Sequence, residues 1–227
     1  MASSLLNTAL SVAAKDLRIE WRTKTAFASS IVFAVLVLAI FYFSRDTTVV
    51  SELDIAPSAL WVTFTFASML GLNRAFLLEQ ENRAIDAILI TDVPRTGVFL
   101  GKVLGNLAFV AVVELITLPL FALFFNVPIL RPLPALLAVT AMATLAFVTV
   151  GTLLSAMVVR TRFAELMLPV LLLPFLVPPV IGAVQITAGL LAYRPLSDFS
   201  GWLRLLASFD IAFVAACLLL FDATVEE

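Results

Sequence analysis

Hydrophobic residues along this chain come in long blocks, with polar residues gathered between them. Ala26 to Phe43 is uncharged and long enough as a helix to cross about 30 Å of hydrocarbon, and Tyr42 stands at its far end, where interfacial aromatics belong. A short polar connection, Arg45 to Pro57, leads to a second block, Ser58 to Leu72, with Trp61 near its start. The third block, Val98 to about Phe125, would be about 40 Å long as a helix, so it must tilt or project into water. Asn126 to Pro132 predicts a tight turn. Leu133 to Val159 reads as a fourth span rich in Ala, Thr and Gly, which close helix packing in lipid favours. Phe163 to Leu191 carries Pro169, Pro174, Pro178 and Pro179, each of which removes a backbone donor. The expectation is a kinked fifth span to about Ile181, then a short apolar helix, Ala183 to Leu191, turning back at the interface. Tyr193 to Gly201 reads as a loop, Leu203 to Phe221 as a sixth span, and the remaining residues as a short acidic tail.

Two segments show helical periodicity with a polar face. In the first, Leu6, Leu10, Ala13 and Leu17 form a stripe that Trp21 continues, while Lys15, Asp16, Arg18, Glu20 and Arg22 lie mostly off it. This predicts an interfacial helix with Trp21 at headgroup depth. No cleaved signal peptide is expected, because the first positive charge is Lys15 and Asn7 and Thr8 interrupt the apolar part. The second segment, Asn73 to Lys102, is the longest polar interruption in the chain. It sets Glu79, Glu81, Asp86 and Asp92 against Arg74, Arg83, Arg95 and Lys102, and Leu78, Ile85, Ile88 and Leu89 give it an apolar face. Glu79 precedes Arg83 by four residues, the favourable order for a helical ion pair. Pro94 is expected to end this helix and Thr96 to cap the next.

Composition narrows the class. Of 227 residues, 62% are hydrophobic and 13% charged, against about 25% charged in a soluble domain. Such a chain cannot cover itself with a water-compatible surface. Its net charge of −2 gives no footprint for nucleic acid. Cys217 is the one cysteine, so no intrachain disulfide is possible, and there is no histidine to serve as general base or metal ligand. No Walker A sequence and no histidine-based hydrolase arrangement exists, so neither catalytic residues nor a metal site are expected.

Basic residues orient the spans. With the N-terminus inside, the inner segments hold Lys15, Arg18, Arg22, Lys24, Arg74, Arg83, Arg95, Lys102, Arg160 and Arg162, and the outer ones Arg45, Arg131, Arg194 and Arg204. This bias places both termini, and the polar stretch between spans two and three, in the cytoplasm. The expected fold is an all-α integral membrane protein of one domain, residues 1–227. It has six transmembrane helices, an N-terminal interfacial helix, and a cytoplasmic coupling helix between spans two and three.

Glu114 and Asp210 fall deep within spans three and six. A carboxylate at the bilayer centre costs roughly 2.5–3.5 kcal/mol on insertion scales, so each is a candidate functional group. Both are expected to face the bundle or a partner subunit, with at least one protonated. A site in a substrate path and a hydrogen bond that merely holds the bundle together both fit.

The run KDLRIEWRTK, Lys15 to Lys24, resembles the N-terminal helix of the CcmB family, the haem-exporter permeases of cytochrome c maturation. The central stretch is similar too, in F-x-x-E-x-E from Phe76 to Glu81, ILITDVPR from Ile88 to Arg95, and Gly101–Lys102. Chain length, six spans and the proline-rich fifth span extend the resemblance over almost the whole chain. It implies an ABC-type permease subunit without an active site of its own, in the bacterial inner membrane. It further implies a separate cytoplasmic ATPase, a haem-handling membrane subunit and a small single-span subunit as partners. Haem is then cargo of the complex, not a cofactor of this chain. Phe76, Glu79, Glu81, Arg83, Asp86, Pro94 and Arg95 would form the ATPase-coupling surface, with Lys15, Asp16, Arg18, Trp21 and Arg22 beside it in contact with lipid. The alternatives are the permease of another ABC exporter, for a lipid or drug, and a non-transporting membrane scaffold.

Overall fold

Lipid offers the backbone no hydrogen-bond partners, so each long apolar block must satisfy its amides internally, which a helix does. The computed structural model describes residues 2–45, 51–81, 95–158 and 164–224 and is all-helical there. Its elements are α1 (Ala2–Thr23), α2 (Thr25–Ser44), α3 (Glu52–Glu81), α4 (Arg95–Phe125), α5 (Leu133–Val158), α6 (Ala164–Leu191), a short 3-10 turn (Leu196–Phe199) and α7 (Ser200–Thr224). From α2 to α7, six helices are long and apolar enough to cross a membrane.

Helix α4 is the hub, packing against α1, α2, α3, α5 and α7, while α3 and α6 pair across the bundle and α5 is flanked by α6 and α7. Two apolar cores fill the interior. One gathers Leu72, Phe99, Phe109, Val113, Phe147 and Leu172. The other gathers Leu60, Trp61, Phe64, Leu118, Phe121, Phe125 and Ile186.

Three residues in the left-handed region mark the breaks: Lys24 (φ 55°), Asn126 (φ 47°) and Tyr193 (φ 59°). At Lys24 the hydrogen bonding barely pauses. The Lys24 amide donates to Glu20 O (2.8 Å) and the Ala28 amide donates to Lys24 O (2.9 Å), so α1 runs into α2 through a one-residue bend. Asparagine tolerates this conformation, which suits Asn126 to the end of α4. At Tyr193 the amides of Tyr193 and Arg194 donate back to Leu190 O (3.1 Å) and Gly189 O (2.9 Å), a paired cap that satisfies carbonyls at the end of α6. A side chain at Gly189 would collide with the Phe199 ring, so this glycine lets the 3-10 turn fold down onto α6.

Several expectations are corrected. α6 is one continuous helix through all four prolines, and no separate helix turns back at Ala183. Each proline forfeits one helical bond, but a break would orphan several amides and carbonyls at two new ends, at greater cost in lipid. α3 begins at Glu52, so Pro57 lies inside it rather than in a loop, and α3 continues to Glu81. Residues 73–81 are thus an extension of span two, not the start of a separate coupling helix. The rest of that expected helix, with Pro94 as its stop, lies outside the described residues. Because α4 already begins at Arg95, Thr96 sits within its first turn instead of capping it. At 30 and 31 residues, α3 and α4 are each about 45 Å long. Both exceed the thickness of the hydrocarbon, so each tilts or projects beyond it.

Candidate functional site

The polar features fall into two regions. The first is the end of the bundle where α1 meets α4. Gly97, Gly101 and Gly105 recur every four residues and form a groove along α4. The position of a Cβ at Gly97 lies 3.2 Å from Leu5 O, at Gly101 2.6 Å from Ala9 O, and at Gly105 3.6 Å from Ala13 Cα. Positions on both helices rise together, so α1 runs parallel to α4 in backbone contact with it. Small residues allow that approach.

The face of α1 packed on α4 adjoins the expected interfacial stripe and shares Ala13 with it. Ala9 and Ala13 are buried, whereas Leu6, Leu10 and Trp21 are 61%, 60% and 69% exposed. The glycine groove selects the smallest side chains and leaves the leucines on the adjoining flank. Arg18 and Arg22 are exposed. Lys15 and Asp16 form a surface ion pair at 3.0 Å. Trp21 lies edge-on to Phe27, 6.4 Å between centroids, and supports the bend at Lys24. Glu20 and Lys102, of opposite charge, are both buried at this end of the molecule. Phe76, Glu79 and Glu81 ride on the last turns of α3, and Arg95 opens α4. Arg83, Asp86 and Pro94, and with Arg83 the expected pair to Glu79, lie outside the described residues.

The second region is mid-membrane. Glu114 on α4 is buried, and the Thr144 hydroxyl of α5 donates to its Oε1 at 2.6 Å. A cavity of about 20 Å³ adjoins this pair, lined also by Trp61, Ser68 and Pro179. Beside it the Trp61 indole N–H donates to the Thr187 hydroxyl at 2.9 Å and ties α3 to α6. Two turns back along α4, the Asn106 amide donates to the Thr152 hydroxyl at 3.1 Å and ties α4 to α5. Asp210 on α7 is buried as well, and its Oδ1 accepts no hydrogen bond among the described residues. Glu114 and Asp210 are thus both turned away from lipid, and the Glu114 carboxyl is tied to a neighbouring helix through Thr144.

Sequence reasoning missed Ser68, Thr144 and the glycine groove. The groove had a signal, G-x-x-x-G-x-x-x-G opening an apolar run. Ser68 and Thr144 had none, since hydroxyls are scattered through every span and only packing decides which one meets a carboxyl.

Residues 7–226 match the sequence model of the family described as CcmB protein. Among curated relatives, "Heme exporter protein B" of Pseudomonas aeruginosa is 27% identical over 175 residues, covering 76% of this chain and 78% of the relative. "Heme exporter protein B" of Paracoccus denitrificans is 28% identical over 185 residues, 81% of this chain and 84% of the relative. The protein of that name from Rhodobacter capsulatus is 27% identical over 192 residues, 82% and 87% respectively.

Proposed function

The chain belongs to the CcmB family, and from that premise we propose that it is the membrane permease subunit of an ATP-driven ABC-type complex of cytochrome c biogenesis. In this reading it couples a separate cytoplasmic ATPase to haem export, or to release of a haem-loaded chaperone. The observation that carries the reading is the family match over residues 7–226, which takes in most of α1, the stretch between spans two and three, and all six spans. The names of the relatives, "Heme exporter protein B", support haem as the cargo. A haem-handling membrane subunit and a small single-span subunit complete the proposed complex.

The architecture supports a coupling role. α3 and α4 flank residues 82–94, so a force applied there would act on two long helices. α4 in turn touches most of the bundle. α1 is clamped to the outer turns of α4 through glycine contacts, and its exposed Leu6, Leu10 and Trp21 suit the lipid interface. The excess of Lys and Arg on these segments supports a cytoplasmic position for both termini and the platform.

Reversing charge at Glu79 and Glu81 in the assembled complex tests the proposal. Loss of copurifying ATPase, with membrane insertion intact, is the expected result. A full complement of ATPase on the variant would remove these residues from the coupling surface. Haem-chaperone release by the unmodified complex is the companion readout. A lipid or drug exporter of the same architecture would pass the first measurement and show no such release.

A further inference from the structure

The two apolar cores meet at the level of Glu114, with Val180 packed against both. Glu114 stands at their seam, one residue beyond Val113 of the first core and four before Leu118 of the second. The cavity of about 20 Å³ opens at this same level, with Phe147 and Leu176 of one core and Trp61 and Phe64 of the other around it. We propose that this seam is a binding site for a single ordered water, held between Ser68 of α3 and Glu114 of α4.

Donors and acceptors decide the assignment. Ser68 is 2% exposed, lines the cavity, and its Oγ makes no hydrogen bond among the described residues. A buried hydroxyl without a partner is costly, and native interiors meet that need with protein groups or ordered water. Glu114 has one oxygen engaged by Thr144 at 2.6 Å, which leaves its carboxyl with further hydrogen-bonding capacity. Pro179 lines the same space from α6. A cavity this size admits one water, and a water needs two to four polar partners. The Ser68 hydroxyl and the Glu114 carboxyl supply two, from different helices. An entirely apolar void of this kind would stay dry, but this one has a hydroxyl and a carboxyl in its lining.

Hydroxyl-radical footprinting of the full chain in lipid nanodiscs, pulsed in ¹⁸O-labelled water, tests this directly. Radicals born from a bound water oxidise the side chains beside it. Phe64 and Phe147, at the cavity, are expected to take up label several-fold faster than Phe121 and Phe125, which are fully buried in the core away from it. Equal rates for the two pairs would show a dry seam and overturn the proposal without recourse to any variant. Ser68→Ala, a one-atom change, is expected to abolish the excess at Phe64 and Phe147 while leaving Phe121 unchanged. Persistence of the excess in that variant would remove Ser68 as a ligand and overturn the site as assigned. Neither reading depends on the ATPase or on haem, so failure here is distinct from failure of the proposed coupling role.

Discussion

At the scale of single residues, the carboxyl of Glu114 is held by a hydroxyl on the next helix. An isosteric amide preserves an oxygen for the Thr144 hydroxyl, whereas leucine strands that hydroxyl in an apolar core. Losing such a buried partner costs roughly 1–3 kcal/mol. Glu114→Gln is therefore expected to assemble and function near normally, and Glu114→Leu to lower complex yield or stop haem-chaperone release. The same contrast is expected for Asp210→Asn against Asp210→Leu. Yield and release for the four variants check it. If the amides fail as badly as the leucines, the charge itself is required, and a proton or cation path becomes the better account.

Among the elements, the contact of α1 with α4 is the most exacting. At Gly101 a methyl group would fall 2.6 Å from the Ala9 carbonyl and 2.7 Å from Val12 Cβ, so backbone must move to admit it. Gly101→Ala is expected to loosen α1 at about 1–3 kcal/mol, the usual range for overpacking. Faster amide hydrogen exchange across residues 5–16 would report it. Gly201, with nothing within 4 Å of its Cβ position, is the control. Gly201→Ala removes a helical glycine and is expected to be neutral or to stabilise α7 by up to about 1 kcal/mol. If both substitutions behave alike, the glycine groove is not what holds α1.

For the whole molecule, the absence of histidine from the sequence bears on how haem is handled. The chain purified alone is expected to show no histidine-ligated haem spectrum, because only weaker ligands such as Met or Tyr are on offer. Stoichiometric haem retained by the isolated chain, and lost on mutating a Met or Tyr, would shift the role from coupling toward cargo binding. α4 runs from its N-terminal turns, where α1 packs, to the Glu114 seam, and touches α7 as well.

The class of this protein, its six spans and most of their limits were legible in the chain itself. Backbone in lipid must close its own hydrogen bonds, and an unbroken apolar block does so as a helix, so 26–43 or 133–159 translates almost directly into α2 (Thr25–Ser44) or α5 (Leu133–Val158). The depth of Glu114 and Asp210 was equally plain, because depth follows from position along a span. What packs against what was not. The stripe of α1 reads as a lipid-interface face, but which other face meets the bundle is not written in it, and only the fold sets Ala9 and Ala13 against Gly101 and Gly105. The prolines of α6 read as breaks because local rules count the lost bonds and not the larger number a broken helix would orphan in lipid. The seam itself belongs wholly to tertiary structure. Ser68, Glu114 and Thr144 are far apart in sequence, and only the packing of α3, α4 and α5 brings a hydroxyl without a partner, a carboxyl and a water-sized cavity to one place.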